Sequence, residues 1–376
     1  MTTYLNYRTE DLPQPIPSAG VDRYHQEIEL ALVSDLRRRD NYEKFIQSKN
    51  SRNKSLDYLP IKLDIENVSR CNFKCVMCVV ADWPKGRRAE DMSLEVFQRL
   101  IDEQYGLVEI KLQGIGEPLL QKDAYFEMIK YARSKHIWVR TTTNASLLHL
   151  NNNYEKLVDS GVNELQISID ACTENAFRTI RPGSVFSQIK RNCILINAYS
   201  KSKNKKITKM WTVVQKENVH QLEDIVRFSS ELGFENHVFS LEMSDWGMES
   251  MRERNENNSV SNALSMDRIE GLIGIGASLG VRVAFWNPRE KYSFASEATI
   301  CPWPFERAYI SSDSRVVPCC YIGNPDIYQI DALEDSMSFS DIWNGEAMQS
   351  FRQQHLSGQI PKICSGCYQD RKKNEQ

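Results

Sequence analysis

The segment "RCNFKCVMCVV" carries Cys71, Cys75 and Cys78, separated by three and two residues. Thiolates so spaced on one loop suit three irons of a [4Fe–4S] cubane and leave the fourth iron open. Zinc would require a fourth ligand, and no histidine or further cysteine lies within twenty residues of the three. A second set lies near the C-terminus: Cys301, the adjacent Cys319 and Cys320, and the pair Cys364 and Cys367. It offers four ligands, Cys301, Cys319, Cys364 and Cys367, with Cys320 spare. The spacing does not decide between Cys319 and Cys320 as the ligand, and a four-cysteine zinc site has similar ligand pairs. Clustered cysteines signal metal binding or redox chemistry in a reducing compartment. The two cysteines between the sets, Cys172 and Cys193, read as small buried hydrophobes.

These residues need a scaffold. From about residue 60, β-type runs alternate with helical stretches. The strands are expected at "IKLDIENV" (61–68), "VEIKLQG" (108–114), "WVRTTTN" (138–144), "ELQISID" (164–170), "MWTVVQ" (210–215) and "HVFSLEM" (237–243). Repeated strand–helix units imply a parallel sheet with helices outside it. Six units suit an open sheet or a partial barrel, and periodicity alone does not choose. The first cysteine loop directly follows the first strand, at the strand end where α/β sheets place their ligands.

Residues 1–20 read as an extended, Pro-rich lead-in and 21–47 as one amphipathic helix. The polar stretch 244–262 reads as a linker or lid. A helix over 266–279 and the strand-like "VRVAFW" lead to the cysteine-rich end.

The chain has 376 residues, 41% of them hydrophobic, enough for a large core. A net charge of −3 gives no basic face for nucleic acid. The basic run "KSKNKKITK" (201–209) has no interleaved aromatics and reads as a solvated loop. No apolar run approaches the roughly 20 residues of a membrane span, and the N-terminus lacks a secretory signal pattern. A cytoplasmic location is expected, with no nucleic-acid or membrane partner.

With these landmarks the sequence resembles the radical S-adenosylmethionine (radical SAM) superfamily. "QGIGEPLL" (113–120) looks like the family's GGEP motif, departing from it at Ile115, and "TTTNA", "SID" and "TIRPG" fall in family order at later positions. The resemblance implies a partial (β/α)6 barrel, and SAM on the open iron of a cluster held by Cys71, Cys75 and Cys78. It implies SAM contacts from Gly114, Gly116, Glu117, Asn144, Ser168 and Arg181, with Glu117 at the ammonium, Ser168 at the ribose and Arg181 at the carboxylate. Met77 stands where the family more often has an aromatic residue against adenine. The C-terminal set resembles a SPASM/twitch-type auxiliary [4Fe–4S] domain, its spacing most like the one-cluster form found in the aminocyclitol dehydrogenase of butirosin biosynthesis. The implied division is an N-terminal extension (1–59), a core (60–262) and an auxiliary domain with its connecting segment (263–376).

The implied reaction begins with reductive cleavage of SAM and hydrogen abstraction from a substrate, with a flavodoxin- or ferredoxin-type electron donor. Dehydrogenation of a sugar- or aminocyclitol-like alcohol stands first among the readings. An epimerase would need a thiol hydrogen donor, Cys320, Cys172 or Cys193. Peptide modification is a third reading, and a non-catalytic iron–sulfur or zinc protein a fourth. Trp83, Trp246, Trp286 and Trp303 are candidates to line a pocket, with core packing as the alternative.

Overall fold

The computed structural model describes residues 12–82, 90–260, 264–287, 291–333 and 338–369. Trp83 therefore lies outside the described residues. Ten strands form one sheet: β1 (Lys62–Ile65), β2 (Glu109–Leu112), β3 (Trp138–Thr143), β4 (Glu164–Ser168), β5 (Thr208–Val213), β6 (Asn236–Ser240), β7 (Arg282–Trp286), β8 (Arg307–Ile310), β9 (Arg315–Val317) and β10 (Asp331–Ala332). Their order is β10-β9-β8-β1-β2-β3-β4-β5-β6-β7. The run from β8 to β7 is parallel throughout, while β9 and β10 are antiparallel.

All six expected core strands are present. The strand-like run after residue 280 becomes β7, a seventh parallel strand beside β6. The C-terminal segment does not stand apart from the core: β8 pairs with β1, matching Lys62 to Arg307 and Asp64 to Tyr309. Helices Leu94–Glu103, Asp123–Ser134, Asn153–Asp159, Phe186–Ser202 and Leu222–Glu231 cross between the strands. The seven β/α-type strands and β8 form the parallel part of one sheet with helices outside it, as expected of a partial barrel.

Alternation along the strands separates two faces. Leu63, Ile65, Ile110, Leu112, Val139, Leu165 and Ile167 are fully buried in the apolar core beneath the helices. The intervening positions form the inner face, and many are charged: Lys62 and Asp64 on β1, Glu109 and Lys111 on β2, Arg140 on β3, Glu164 on β4, Lys209 on β5.

The N-terminal region differs from expectation in two ways. The single helix is broken at Asp35, which is extended (φ −145°, ψ 115°), giving helices Val21–Ser34 and Leu36–Ser48. Its carboxylate accepts from the Arg37 N–H at 2.9 Å, so an N-cap within the pattern restarts the helix. The lead-in is also pinned from residue 12 onward. Phe285 N–H donates to the Pro13 carbonyl at 2.8 Å. Lys209 Nζ reaches the Ile16 carbonyl at 2.7 Å, and Ser18 N–H donates to Glu164 at 3.2 Å. Tyr24 O–H donates to Glu109 at 2.7 Å. The barrel's charged lower layer thus binds the chain's own N-terminal segment as a floor.

Candidate active site

Cys71, Cys75 and Cys78 follow β1 on a loop that three neighbouring segments brace. Lys74 N–H donates to Pro182 O at 3.2 Å and Val76 N–H to Ile180 O at 3.0 Å, tying the loop to "TIRPG". Glu117 N–H donates to Arg70 O at 3.0 Å. A Cβ on Gly116 would stand 2.4 Å from both the Val68 and Arg70 carbonyl oxygens, and one on Gly114 would strike the Glu66 side chain. Gly116 lets the strand-end loops meet backbone to backbone, and Gly114 makes room for the Glu66 side chain.

The thiols receive donors suited to thiolates. Phe73 N–H points to Cys71 Sγ at 3.4 Å, Asn144 Nδ2 lies 3.8 Å from the same sulfur, and Arg181 Nη1 lies 3.6 Å from Cys75 Sγ. Burial pushes the Cys71 and Cys78 thiols up to about 12, with Glu117 adding to it at Cys71 and Cys75 at Cys78. Holding them as thiolates calls for a cationic centre. Among the described residues no three His, Cys, Asp or Glu side chains converge where a single metal ion would sit. The donor set, three cysteines on one braced loop with donors aimed at two of the sulfurs, suits an iron–sulfur group by its chemistry.

The expected SAM residues stand round this loop with differing partners. Glu117 is buried, its Oε1 accepting from Thr143 Oγ1 at 2.7 Å and its Oε2 from the Asn144 N–H at 2.8 Å. Burial pushes its carboxyl up to about 7. Asn144 turns onto the cysteine loop, donating to Asn72 Oδ1 at 3.0 Å. Arg181 gives its Nε to Asp170 at 2.7 Å, in a pair with side chains 7% and 0% exposed. The guanidinium is thus held by a carboxylate while one nitrogen faces Cys75. Ser168 ends β4 on the inner face, in register with Trp211. The stretch expected as linker or lid is a clasp containing helix Glu249–Asn258. Trp246 Nε1 donates to Met77 O at 3.4 Å, while Ser244 Oγ donates to Tyr321 O at 3.0 Å in the C-terminal segment.

The second set sorts itself by direction. Burial raises the Cys319 thiol first, and Cys320, Cys364, Cys367 and Cys301 all add to it. Burial likewise pushes Cys320 up to about 11, but its other neighbours are Asp64, Lys111, Arg307 and Arg140. The charged neighbours of Cys319 are thus the other cysteines of the set, and those of Cys320 are side chains of the barrel wall. Tyr368 braces the ligand loops: its hydroxyl accepts from Cys301 N–H at 2.9 Å and pairs with His355 Nδ1 at 2.7 Å. Of the other two thiols, Cys193 is fully buried in the core and Cys172 lies beside Gln221, so Cys320 alone of the three proposed donors faces the inner wall.

Ile115, the departure from the expected glycine, places its Cδ1 where a Cβ on Gly323 would stand 3.4 Å away, filling the joint to the C-terminal segment. Trp286 also lies on the inner face, with Lys291 Nζ 4.5 Å above its ring. Trp303 instead stacks under Arg307 at 4.8 Å. Sequence reasoning missed Asp64, Lys111 and Glu66. The signal was available in "IKLDIENV", where charges recur every second residue of a strand expected to be apolar on both faces.

Comparisons agree with this arrangement. Residues 67–229 match the radical SAM superfamily model, and residues 301–368 match SPASM, an iron–sulfur cluster-binding domain. The chain carries a radical SAM domain followed by a SPASM domain. It is 29% identical over 171 residues to a GTP 3',8-cyclase of Saccharophagus degradans, covering 44% of this chain and 49% of that protein. The chain thus spans about half the length of that relative. It is 21% identical over 318 residues to the PqqA peptide cyclase of Bradyrhizobium diazoefficiens, covering 82% of this chain and 79% of that one. The structure of Streptococcus suis SuiB bound to its precursor peptide SuiA superposes with a TM-score of 0.60 at 16% identity, covering 83% of this chain and 70% of that one, a likeness of fold. The radical SAM and SPASM domains imply [4Fe–4S] clusters and SAM as cofactors. Among the described residues no helix is long and apolar enough to cross a membrane.

Proposed function

We propose that this enzyme is a radical SAM dehydrogenase that converts a carbinol of a sugar- or aminocyclitol-like substrate into a carbonyl. Cys71, Cys75 and Cys78 hold the SAM-binding cluster, and Cys301, Cys319, Cys364 and Cys367 hold the auxiliary one. When bound, these groups supply SAM cleavage to a hydrogen-abstracting radical and a one-electron sink. The protein's share is positional. Glu117 and its neighbours orient SAM, Arg181 and Asn144 stabilise the cysteine loop, and the inner wall holds the substrate away from bulk water. A flavodoxin- or ferredoxin-type protein is the expected electron donor.

The observation that supports this reading is the neighbourhood of Cys319, whose charged neighbours are Cys320, Cys364, Cys367 and Cys301. A set closed by four thiols has no position left for substrate, which suits electron transfer. Cys319→Ala should lower iron from about eight per chain to about four in anaerobically reconstituted protein, whereas Cys320→Ala should leave about eight. Cys319→Ala should still cleave SAM but yield no oxidised product.

One observation favours epimerisation instead: Cys320 presents a thiol to the interior. Product analysis in heavy water separates the two. Solvent deuterium on the product carbon, lost in Cys320→Ala, would replace the dehydrogenase reading. A carbonyl product without deuterium supports it.

A further inference from the structure

The inner wall is crowded with carboxylates, and almost all are occupied. Glu109 pairs with Lys62 at 3.3 Å and Arg140 at 3.0 Å, and also accepts from Tyr24. Glu164 pairs with Lys209 at 3.0 Å, and Glu306 with Arg307 at 2.8 Å. Glu66 accepts from the N–H groups of Ile115 and Ser312, both at 3.0 Å.

Asp64 is the exception. Its residue is 2% exposed. Leu63 and Ile65 on either side point into the apolar core, so its carboxylate points inward. Among the described residues it makes no hydrogen bond and no ion pair. In the sheet register it stands between Lys111 on β2 and Tyr309 on β8. Its charge is felt at Cys320, Arg140 and Arg307. Lys111, half-buried beside it, likewise has no ion-pair partner among the described residues. Arg140 and Arg307 offset part of its charge, but no side chain among the described residues donates to its oxygens, and a ligand hydroxyl could supply that hydrogen bond. Asp64 lies on the strand that leads into the first cysteine loop, in a register row with Lys111, Arg140 and Glu164, and Cys320 is among its neighbours.

We propose that Asp64 grips the reacting hydroxyl of the substrate and accepts its proton, with Lys111 holding a neighbouring oxygen. This rests on the dehydrogenase reading above and narrows the substrate to one with vicinal oxygens, a polyol or aminocyclitol. The carbinol C–H hydrogen atom leaves to the 5′-deoxyadenosyl radical. The O–H bond then breaks and its proton passes to the Asp64 carboxylate. The carbon–oxygen π bond forms as the remaining odd electron leaves for a one-electron acceptor, an oxidised [4Fe–4S] cluster. Loss of that hydrogen atom makes the hydroxyl more acidic, so a carboxylate is a sufficient base.

The test uses cluster-loaded, SAM-bound full-length protein with myo-inositol and 2-deoxystreptamine as probes. Calorimetry reads binding, and mass spectrometry reads 5′-deoxyadenosine and the carbonyl product. Wild type is expected to bind at least one probe, Asp64→Asn to bind it at least tenfold more weakly, and Lys111→Met to weaken it several-fold. Asp64→Asn should still form 5′-deoxyadenosine while the carbonyl product falls at least a hundredfold, and Asp64→Glu should recover part of that loss. If Asp64→Asn binds and oxidises the probe like wild type, the proposal is overturned. Wild type binding neither probe overturns the substrate class and this role together. Wild type binding a probe and returning solvent deuterium to it overturns the dehydrogenase reading, and binding by Asp64→Asn then decides whether Asp64 is still the anchor. Should Asp64→Asn fail to fold, the same comparison is made between Asp64→Glu and Lys111→Met. Unchanged binding in both overturns the proposal.

Discussion

Glu117 shows how one carboxyl can be both anchored and adjustable. Thr143 and the Asn144 N–H fix its oxygens, yet burial pushes it up to about 7. In its proposed role the ionised form would attract the SAM ammonium, and with a pKa of about 7 that form is the minor one at pH 6 and the major one at pH 7.5. SAM affinity of the cluster-loaded protein should therefore rise roughly five- to tenfold between those pH values. Glu117→Gln should bind more weakly and lose that rise. Equilibrium dialysis with labelled SAM reads both, and a flat wild-type profile would contradict the assignment. At this scale the thiols were plain from spacing alone. The roles of Cys319 and Cys320 were not, because adjacent residues point apart only once the backbone after β9 has a direction.

The strand-end loops carry the next level. Gly116 sits where a methyl group would meet two backbone oxygens at 2.4 Å, and backbone cannot rotate aside as a side chain can. Gly116→Ala should displace residues 68–70 and with them Cys71. About 1–3 kcal/mol of stability should be lost, the usual cost of overpacking. A urea melt measures that loss, and iron retained after reconstitution should fall with it. If the variant keeps wild-type iron content and midpoint, the close approach does not constrain the loop. The six core strands and five of the helices between them were legible because each buries one apolar face at its own period. The break at Asp35 was not, since the apolar pattern runs through it, from Leu32 and Val33 to Leu36.

At the scale of the whole molecule, the two domains share one sheet. Glu66 sits at the joint, bonding the β2 end through Ile115 N–H and the β8 end through Ser312 N–H. Glu66→Ala should strand two buried donors and cost about 3 kcal/mol. It should also loosen the C-terminal segment from β1, read as faster amide exchange in β8 relative to β5. Equal protection in both would argue that the β1–β8 pairing holds without it. The N-terminal floor acts at the opposite end, closing the barrel with the Ile16 carbonyl, the Ser18 N–H and the Tyr24 hydroxyl, which meet Lys209, Glu164 and Glu109. That floor leaves the strand-end side, with its cysteine loop, as the face toward which the inner wall opens.

By itself the sequence determined the chemistry on offer: two cysteine sets, a strand–helix alternation, and polar residues at successive strand ends. Local spacing suffices for these because ligands on one loop and side chains on one strand are set by short-range geometry. Only the tertiary structure decided which thiol faces the cysteine set, which carboxylates are already paired, and that Asp64 is left over beside Lys111. Those are facts about neighbours contributed by β1, β2, β8 and the loop after β9, some 250 residues apart in the chain, and no periodicity records which charges meet across a folded wall. The same limit explains the lead-in: "PQPIPSAG" looks unstructured because it has no period of its own, and it is ordered by charges on strands far along the chain.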